Sequence, residues 1–199
     1  LYDTLKYIHQ SLPSAFTVYG GKVTIENSDF KDLKSEDAIN LFRCEFKIGN
    51  IKIENIFSDA FDADFCSGFM KNCSFINCGN DGVDISGGRL EISESEFLNI
   101  KDKAISAGEE SKLKVSKCTV QNSSMGIISK DLSVFKSIEN KLLDCEIGFC
   151  AFQKKGEFGP GEIFSIDDEI TNCSVNNLIE IVINILIKVA FTIQMTTNT

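Results

Sequence analysis

Small residues recur along this chain at Ala15, Ala38, Ala60, Gly82, Ala104, Gly126 and Gly148, separated by 23 residues and then by 22 five times over. Each is followed by an alternating apolar segment: Phe16/Val18, Ile39/Leu41, Phe61/Ala63, Val83/Ile85, Ile105/Ala107, Ile127/Ser129 and Phe149/Ala151. Alternation with period two predicts a strand with one buried face. A second register repeats at the same interval through Phe46/Gly68/Leu90, Ile48/Met70/Ile92, Ile51/Cys73/Ser95 and Ile53/Phe75/Phe97, so each repeat carries at least two short strands separated by turns.

A coil of about 22 residues cannot bury its apolar face alone, so successive coils must stack with strands in parallel at about 4.8 Å. Asn55, Asn77 and Asn99 share one register, with Asn122 one residue out of phase, and stand where the chain turns a corner. Stacked corner amides can bond to the backbone and to one another. The leucine-rich solenoid, the competing architecture of similar repeat length, needs an L-x-x-L-x-L-x-x-N pattern that is missing, and no helical period separates the strands. The expectation is an all-β solenoid of about seven to eight coils forming a single domain over 1–199, with repeats over about 12–175.

Two segments break the rhythm. Residues 153–161, with one of the two prolines at Pro160, read as a protruding loop. From Leu178 to Ile193 the odd positions from Ile179 onward are apolar and rich in Ile and Val, which favours strands. A capping amphipathic helix and a membrane-inserted segment are the alternatives, the run being short and polar for a span. Residues 176–199 are therefore expected to be C-terminal strands or a cap.

The outward positions change the picture from architecture to chemistry. One row reads Asn40, Asp62, Asp84, Ser106, Ile128, Cys150, and a second Phe42, Asp64, Ser86, Gly108, Lys130, Phe152. The corner before the strand reads Asp37, Asp59, Asp81, Lys103, Met125, Ile147. Asp62 and Asp84 would stand one strand spacing apart, with Asp64 about 6.6 Å from Asp62 on the same face. Carboxylates that close need a cation, a raised pKa, or solvent and nearby lysines. The functional reading is a cation-dependent polysaccharide site, with calcium as the hard cation suited to oxygen-only ligands and Lys103 or Lys130 as base if desolvation lowers its pKa. The competing reading is a solvated polar face whose aspartates block edge association. Phe42 and Phe152 could stack sugar rings at either end of the stripe or lie under a loop, and Lys154 and Lys155 could close over an acidic sugar or simply be solvated.

Composition narrows the field. The 199 residues are 43% hydrophobic, enough for a core, and 20 Lys+Arg against 29 Asp+Glu give a net charge of -9, which disfavours a nucleic-acid partner. His9 is the single histidine, so Ser/His/Asp catalysis and a histidine-rich metal site are excluded. The eight cysteines lack paired CxxC spacing and fall on repeat positions, as expected of buried thiols, although Cys44 and Cys66 are near enough on the ladder to pair in an oxidising compartment. The start of the chain has no targeting signal and reads as a segment of a longer protein, otherwise a monomer, with a secreted or cell-surface location favoured.

The segments Ser58-Asp59-Ala60-Phe61-Asp62-Ala63-Asp64 and Asn80-Asp81-Gly82-Val83-Asp84-Ile85-Ser86-Gly87 resemble the pectate-lyase-like superfamily of right-handed parallel β-helices, over about residues 12–175. With Asp102-Lys103-Ala104-Ile105-Ser106-Ala107-Gly108-Glu109, Ser129-Lys130-Asp131 and the loop from Gln153 to Pro160, the chain looks more narrowly like a bacterial β-helix family. That family occurs in larger surface proteins, some with a spore-coat kinase-like domain. Against the paired motifs of polygalacturonases, Asp59 and Asp81 match two acids, Asn80 replaces another, and the Gly-His-Gly and Arg-Ile-Lys motifs are missing. Against the calcium-binding Asp-Asp-Gly-Phe-Asp motif of some pectate lyases, Asp81 and Asp84 match two acids and Asn80 departs from the first. The outward rows and the resemblance together single out Asp62, Asp64, Asp81 and Asp84 as calcium ligands, Lys103 with Asp81 as catalytic residues if the chain is an enzyme, and Asp59, Lys130, Lys154, Phe42 and Phe152 as substrate contacts. The leading expectation is a carbohydrate-binding or surface-scaffold β-helix without catalysis. Its alternatives are a calcium-assisted lyase, or less so a hydrolase, acting on an acidic glycan, and a structural spacer.

Overall fold

The structure, a computed structural model, describes residues 14–179. Within them every regular element is a strand, and every pairing is parallel. Strands recur on three faces of a coil. The first face carries the opening halves of Ser14–Glu26 and Asp37–Gly49, then Asp59–Asp64, Val83–Ser86, Lys103–Gly108, Met125–Lys130, Ile147–Phe152 and Val175–Ile179. The second face holds the closing halves of the two long strands followed by Ser67–Lys71, Arg89–Ser93, Lys112–Ser116, Val134–Ile138 and Glu162–Ile166. Because the long strands run across both faces, these two join as one 13-stranded sheet, whereas the third face is a separate sheet of seven strands.

Register follows the repeat. Ile39 pairs with Phe61, Phe61 with Val83, Val83 with Ile105 and Ile105 with Ile127, each step being one 22-residue turn. The regular turns number about six, slightly fewer than the seven to eight expected, and the step after Ile147 is longer, its register partner being Val175. Residues 153–161 take up that extra length.

The interior explains why stacking is stable. Phe61, Phe75, Phe97 and Phe135 are fully buried, and the rings of Phe75 and Phe97 lie parallel at 4.7 Å. Each such side chain withdrawn from water contributes about 2–3 kcal/mol. Phe16, on the first rung of the described residues and paired there with Ile39, is instead 38% exposed.

Corners are built from residues that tolerate positive φ. Asn55, Asn77, Asn99 and Asn122 all have φ between 53° and 57°, where a short polar side chain that bonds locally is favoured. Their amides form the anticipated ladder, each donating to the previous rung: Asn77 to Asn55 at 2.9 Å, Asn99 to Asn77 at 2.9 Å and Asn122 to Asn99 at 2.6 Å. A second amide ladder, Asn72 to Asn50 at 2.8 Å and Asn50 to Asn27 at 3.3 Å, turns another corner.

Cysteine placement follows the same logic inside the corners. The Cys44 N–H donates to Cys66 Sγ at 3.2 Å, the Cys73 N–H to Ser95 Oγ at 3.1 Å, and the Cys118 N–H to Asn140 Oδ1 at 2.8 Å. Thiol, hydroxyl and carboxamide thus interchange as acceptors for a backbone group that would otherwise be buried unpaired. Burial pushes the Cys78 and Cys118 thiols up to about 12 and Cys66 to about 11, which keeps them protonated. Cys44 and Cys66 stand on adjacent rungs as thiols.

His9 and the segment beyond Ile179, including most of the 178–193 run, lie outside the described residues. Among the described residues no helix is long and apolar enough to cross a membrane.

Candidate functional site

All the acidic positions named from the sequence fall on the first face and its entry corner. Asp37 pairs with Asp59, Asn40 with Asp62, Phe42 with Asp64, and Asp62 with Asp84. Stacking therefore brings Asp59, Asp62, Asp64, Asp81 and Asp84 together over neighbouring rungs, with Lys103 and Lys130 following them.

The corner row is committed to holding the turns together. Asp59 Oδ1 accepts the backbone N–H of Asp81 at 2.8 Å and the Asn80 amide at 2.6 Å. Asp81 Oδ1 does the same one rung on, accepting the Lys103 N–H at 3.0 Å and its ammonium at 3.2 Å. Lys103 also pairs with Asp102. Asp81 is only 3% exposed, and its burial pushes the carboxyl up to about 6 against the opposing pull of Lys103.

These contacts bear on the expected role of Lys103 as a base. Burial by itself would lower its pKa, but the hydrogen bond it donates to Asp102 and the charges of Asp81 and Asp102 outweigh that and raise it. Lys103 is therefore held as an ammonium by the carboxylates beside it. Lys130 is also engaged: its Nζ sits 3.4 Å from both Asp84 oxygens, two rungs back. It reaches them by lying over Gly108, where a Cβ would come within 2.9 Å of the Lys130 Cε, so the absent side chain on the intervening rung makes the bridge.

The outward row differs. Asp62 accepts the Asn40 amide at 2.8 Å, and Asn40 also donates to Asp37 at 3.1 Å. Burial pushes the Asp62 carboxyl up to about 8, with repulsion from Asp64, Asp37, Asp84 and Asp59 adding to it. Asp37 rises to about 6, and Asp64 and Asp59 rise as well, in each case chiefly through burial.

Farther along, the expectation of a continuous surface row is corrected. Ser106, Ile128 and Cys150 stay in register with Asp84 but are 0%, 0% and 4% exposed. Small and apolar residues at outward positions are what a covered surface calls for. Ser106 Oγ is buried and has no hydrogen-bond partner among the described residues.

Aromatic side chains flank the acids at the other end. Tyr19, Phe42 and Asp64 are successive register partners, and Phe65 follows Asp64 at the corner. The rings of Tyr19 and Phe42 are 5.6 Å apart and those of Phe42 and Phe65 5.7 Å, with Arg43 5.0 Å over the Phe42 ring. Tyr19 and Phe65 are 76% and 54% exposed. Phe42 was legible as an outward aromatic, and it is half-buried by its neighbours in this group. Tyr19, Phe65 and Arg43 were missed, although Tyr19 lies one 23-residue step before Phe42 and carried the signal.

Residues 153–161 fold back on the preceding turn. The N–H groups of Lys154 and Lys155 both donate to Asp131 Oδ1 at 2.7 Å, the Leu132 N–H donates to Gly159 O at 2.9 Å, and the Lys155 ammonium pairs with Glu109. The Lys154 side chain is exposed, and Phe152 lies at the far end of the stripe beside Leu178 and Ile179.

The four carboxylates named as calcium ligands lie on two neighbouring rungs. Asp81 is turned to Lys103 and Asp84 to Lys130, and among the described residues no group of three or more His, Cys, Asp or Glu side chains could hold a metal ion.

Comparison with known proteins agrees with the architecture. No curated protein and no solved structure matches the chain. The family described as the right handed beta helix region matches over residues 7–131 and 37–186, which together span all of the described solenoid, and the chain belongs to that right-handed β-helix family.

Proposed function

We propose that this β-helix is a non-catalytic carbohydrate-binding module, working as a surface scaffold that presents its first face to a polysaccharide. The observation that carries this reading is the aromatic group of exposed Tyr19 and Phe65 around half-buried Phe42, whose register partner one rung on is the half-buried Asp64. Sugar rings have apolar faces and polar rims, so stacked aromatics beside hydrogen-bond acceptors supply both halves of what they need. A rigid solenoid fixes the spacing of such subsites before the ligand arrives, which reduces the entropy lost on binding.

The lyase alternative asks more of the same residues. It needs a lysine that is neutral near physiological pH, and Lys103 is stabilised as an ammonium. It also needs converging cation ligands, and the aspartates named for that task are individually engaged with lysines or spread along the stripe. A polysaccharide partner and a place within a longer secreted or cell-surface protein belong to the same proposal.

Affinity electrophoresis through gels containing individual polysaccharides tests it. The intact chain is expected to be retarded by at least one polymer, a Tyr19→Ala/Phe42→Ala variant to migrate freely with unchanged thermal unfolding, and no chain shortening to occur. Cleavage of the retained polymer with release of unsaturated ends, in the presence of calcium, would replace the binding reading by the lyase.

A further inference from the structure

We infer that Cys145 and Cys173 form a cross-rung disulfide site, oxidised by exchange with a small-molecule disulfide, that staples the last described turn of the solenoid. The inference is independent of the carbohydrate reading and rests on how the final corner is stacked. Asp144 and Asn172 turn that corner with the same backbone conformation, φ 55° in each, so the cysteine after each leaves in the same direction. Leu142 pairs with Ile170 and Leu143 with Thr171. The Asn172 amide donates to Asp144 Oδ1 at 3.2 Å, and the Ser174 N–H donates to Cys145 O at 3.1 Å. Cys173 therefore lies directly over Cys145.

The spacing suits the bond. Adjacent rungs stand about 4.8 Å apart, inside the Cα separation of roughly 4.4–6.8 Å that a disulfide spans. The Cys173 side chain also points the right way: its Sγ lies 3.8 Å from Leu142 O, on the Cys145 rung, and the two thiols are hydrogen-bond partners. Access is the second requirement. Of the cysteines, Cys173 alone is not fully buried, so an oxidant that cannot enter the core still reaches this pair. Cys44 and Cys66 are stacked in the same manner, the Cys44 N–H donating to Cys66 Sγ, but both are 2% exposed. Stacking without access leaves that pair as thiols.

The difference in burial orders the chemistry. Burial pushes the Cys145 thiol up to about 11, so the more accessible Cys173 is the sulfur that attacks first. Its thiolate adds to one sulfur of a disulfide such as oxidised glutathione, whose S–S bond breaks and releases one glutathione. The Cys145 sulfur then attacks Cys173 from the core side and displaces the second glutathione toward solvent. The two thiol protons end on the two glutathiones, so two protein thiols are oxidised and one external disulfide is reduced.

The bond would tie the turn that most needs it. Here the rungs are 28 residues apart, and the extra length is the 153–161 loop folded onto Asp131 and Glu109. Closing a longer loop removes more freedom from the opened chain. Just past Cys173, the strand Val175–Ile179 keeps Val175, Leu178 and Ile179 exposed, so little apolar burial holds it down.

The test incubates the folded, fully reduced chain with oxidised glutathione and maps its peptides without reduction. Cys145 is expected joined to Cys173 with the other cysteines free, and amide exchange across residues 141–179 to slow by about tenfold or more. Cys145→Ser should stop with one glutathione on Cys173, and Cys173→Ser should take up none; circular dichroism melts check that both variants are folded. Glutathione remaining on Cys173 of the unaltered chain, a crosslink between chains, or a Cys44–Cys66 bond formed in preference overturns the site. So does a folded chain that keeps all its thiols under conditions where the urea-unfolded chain oxidises. A Cys145–Cys173 bond that leaves amide exchange unchanged overturns the staple.

Discussion

Two rows of aspartate, three residues apart in sequence, occupy consecutive rungs of the same face and serve different ends. In the corner row, Asp59 and Asp81 each accept the backbone N–H of the residue one turn later, so their carboxyls are part of the stacking itself. In the outward row, Asp62 and Asp84 meet only side chains: Asn40 for the first, Lys130 for the second. The comparison teaches that periodic acid in a solenoid is not evidence of a site until its acceptors are accounted for. Where a main-chain N–H has claimed the oxygen, the residue is structural; where none has, a ligand can.

The sharpest way to break the comparison is truncation. Asp81→Ala leaves the Lys103 N–H without an acceptor and its mostly buried ammonium with Asp102 alone, and is expected to cost about 2–4 kcal/mol in chemical denaturation. Asp59→Ala loses a backbone acceptor but no ion pair, for an expected cost of about 1–3 kcal/mol. Should Asp62→Ala destabilise the fold as much as Asp81→Ala, the two rows are not different in kind.

Titration separates them next. The Asp62 carboxyl is raised to about 8 in the folded protein, from an unfolded value near 3.8. Between those values the folded state holds a proton that the unfolded state has released, so stability is greatest at the acid end and falls as pH rises toward 8. Asp37 and Asp81, raised to about 6, add to the decline over the lower part of that window. Thermal unfolding midpoints measured from pH 5 to 9 are expected to drop, and Asp62→Asn to flatten the drop; a midpoint that climbs with pH contradicts the arrangement.

Smaller effects refine the picture. Phe42→Ala should change stability by under about 1 kcal/mol, since the ring is only half-buried, while removing most glycan retention in affinity gels. Gly108→Ala should be the mildest: its methyl would displace the flexible end of Lys130 from Asp84 for less than about 1 kcal/mol, seen as a small shift in denaturation midpoint.

The fold was legible because a 22-residue recurrence of Ala/Gly followed by alternating Ile, Val and Phe has few physical solutions. The register of Asp62 on Asp84, and the amide ladder through Asn55, Asn77 and Asn99, followed directly from that spacing. The site was legible only in part. Lys103 could be placed beside Asp81 by counting, but the direction of its pKa depends on Asp102 as well, and that contact is a matter of side-chain geometry. The burial of Ser106, Ile128 and Cys150 could not be had from alternation, which distinguishes inward from outward but not outward-exposed from outward-covered. Tyr19 and Phe65 escaped notice because one lies on the irregular first rung and the other at a corner, off the alternating positions.

By itself, then, the order of residues determined the period, the strand faces, the inward core and which letters lie over one another, because hydrophobic burial and parallel pairing act through spacing alone. Tertiary structure decided which carboxyls were spent on the backbone, that Lys130 would reach across Gly108 to Asp84, and that three aromatic rings and Arg43 would gather next to Asp64. Those outcomes depend on rotamers, on the reach of long side chains and on competition for hydrogen-bond partners, and such competition is resolved only when the rungs are in contact.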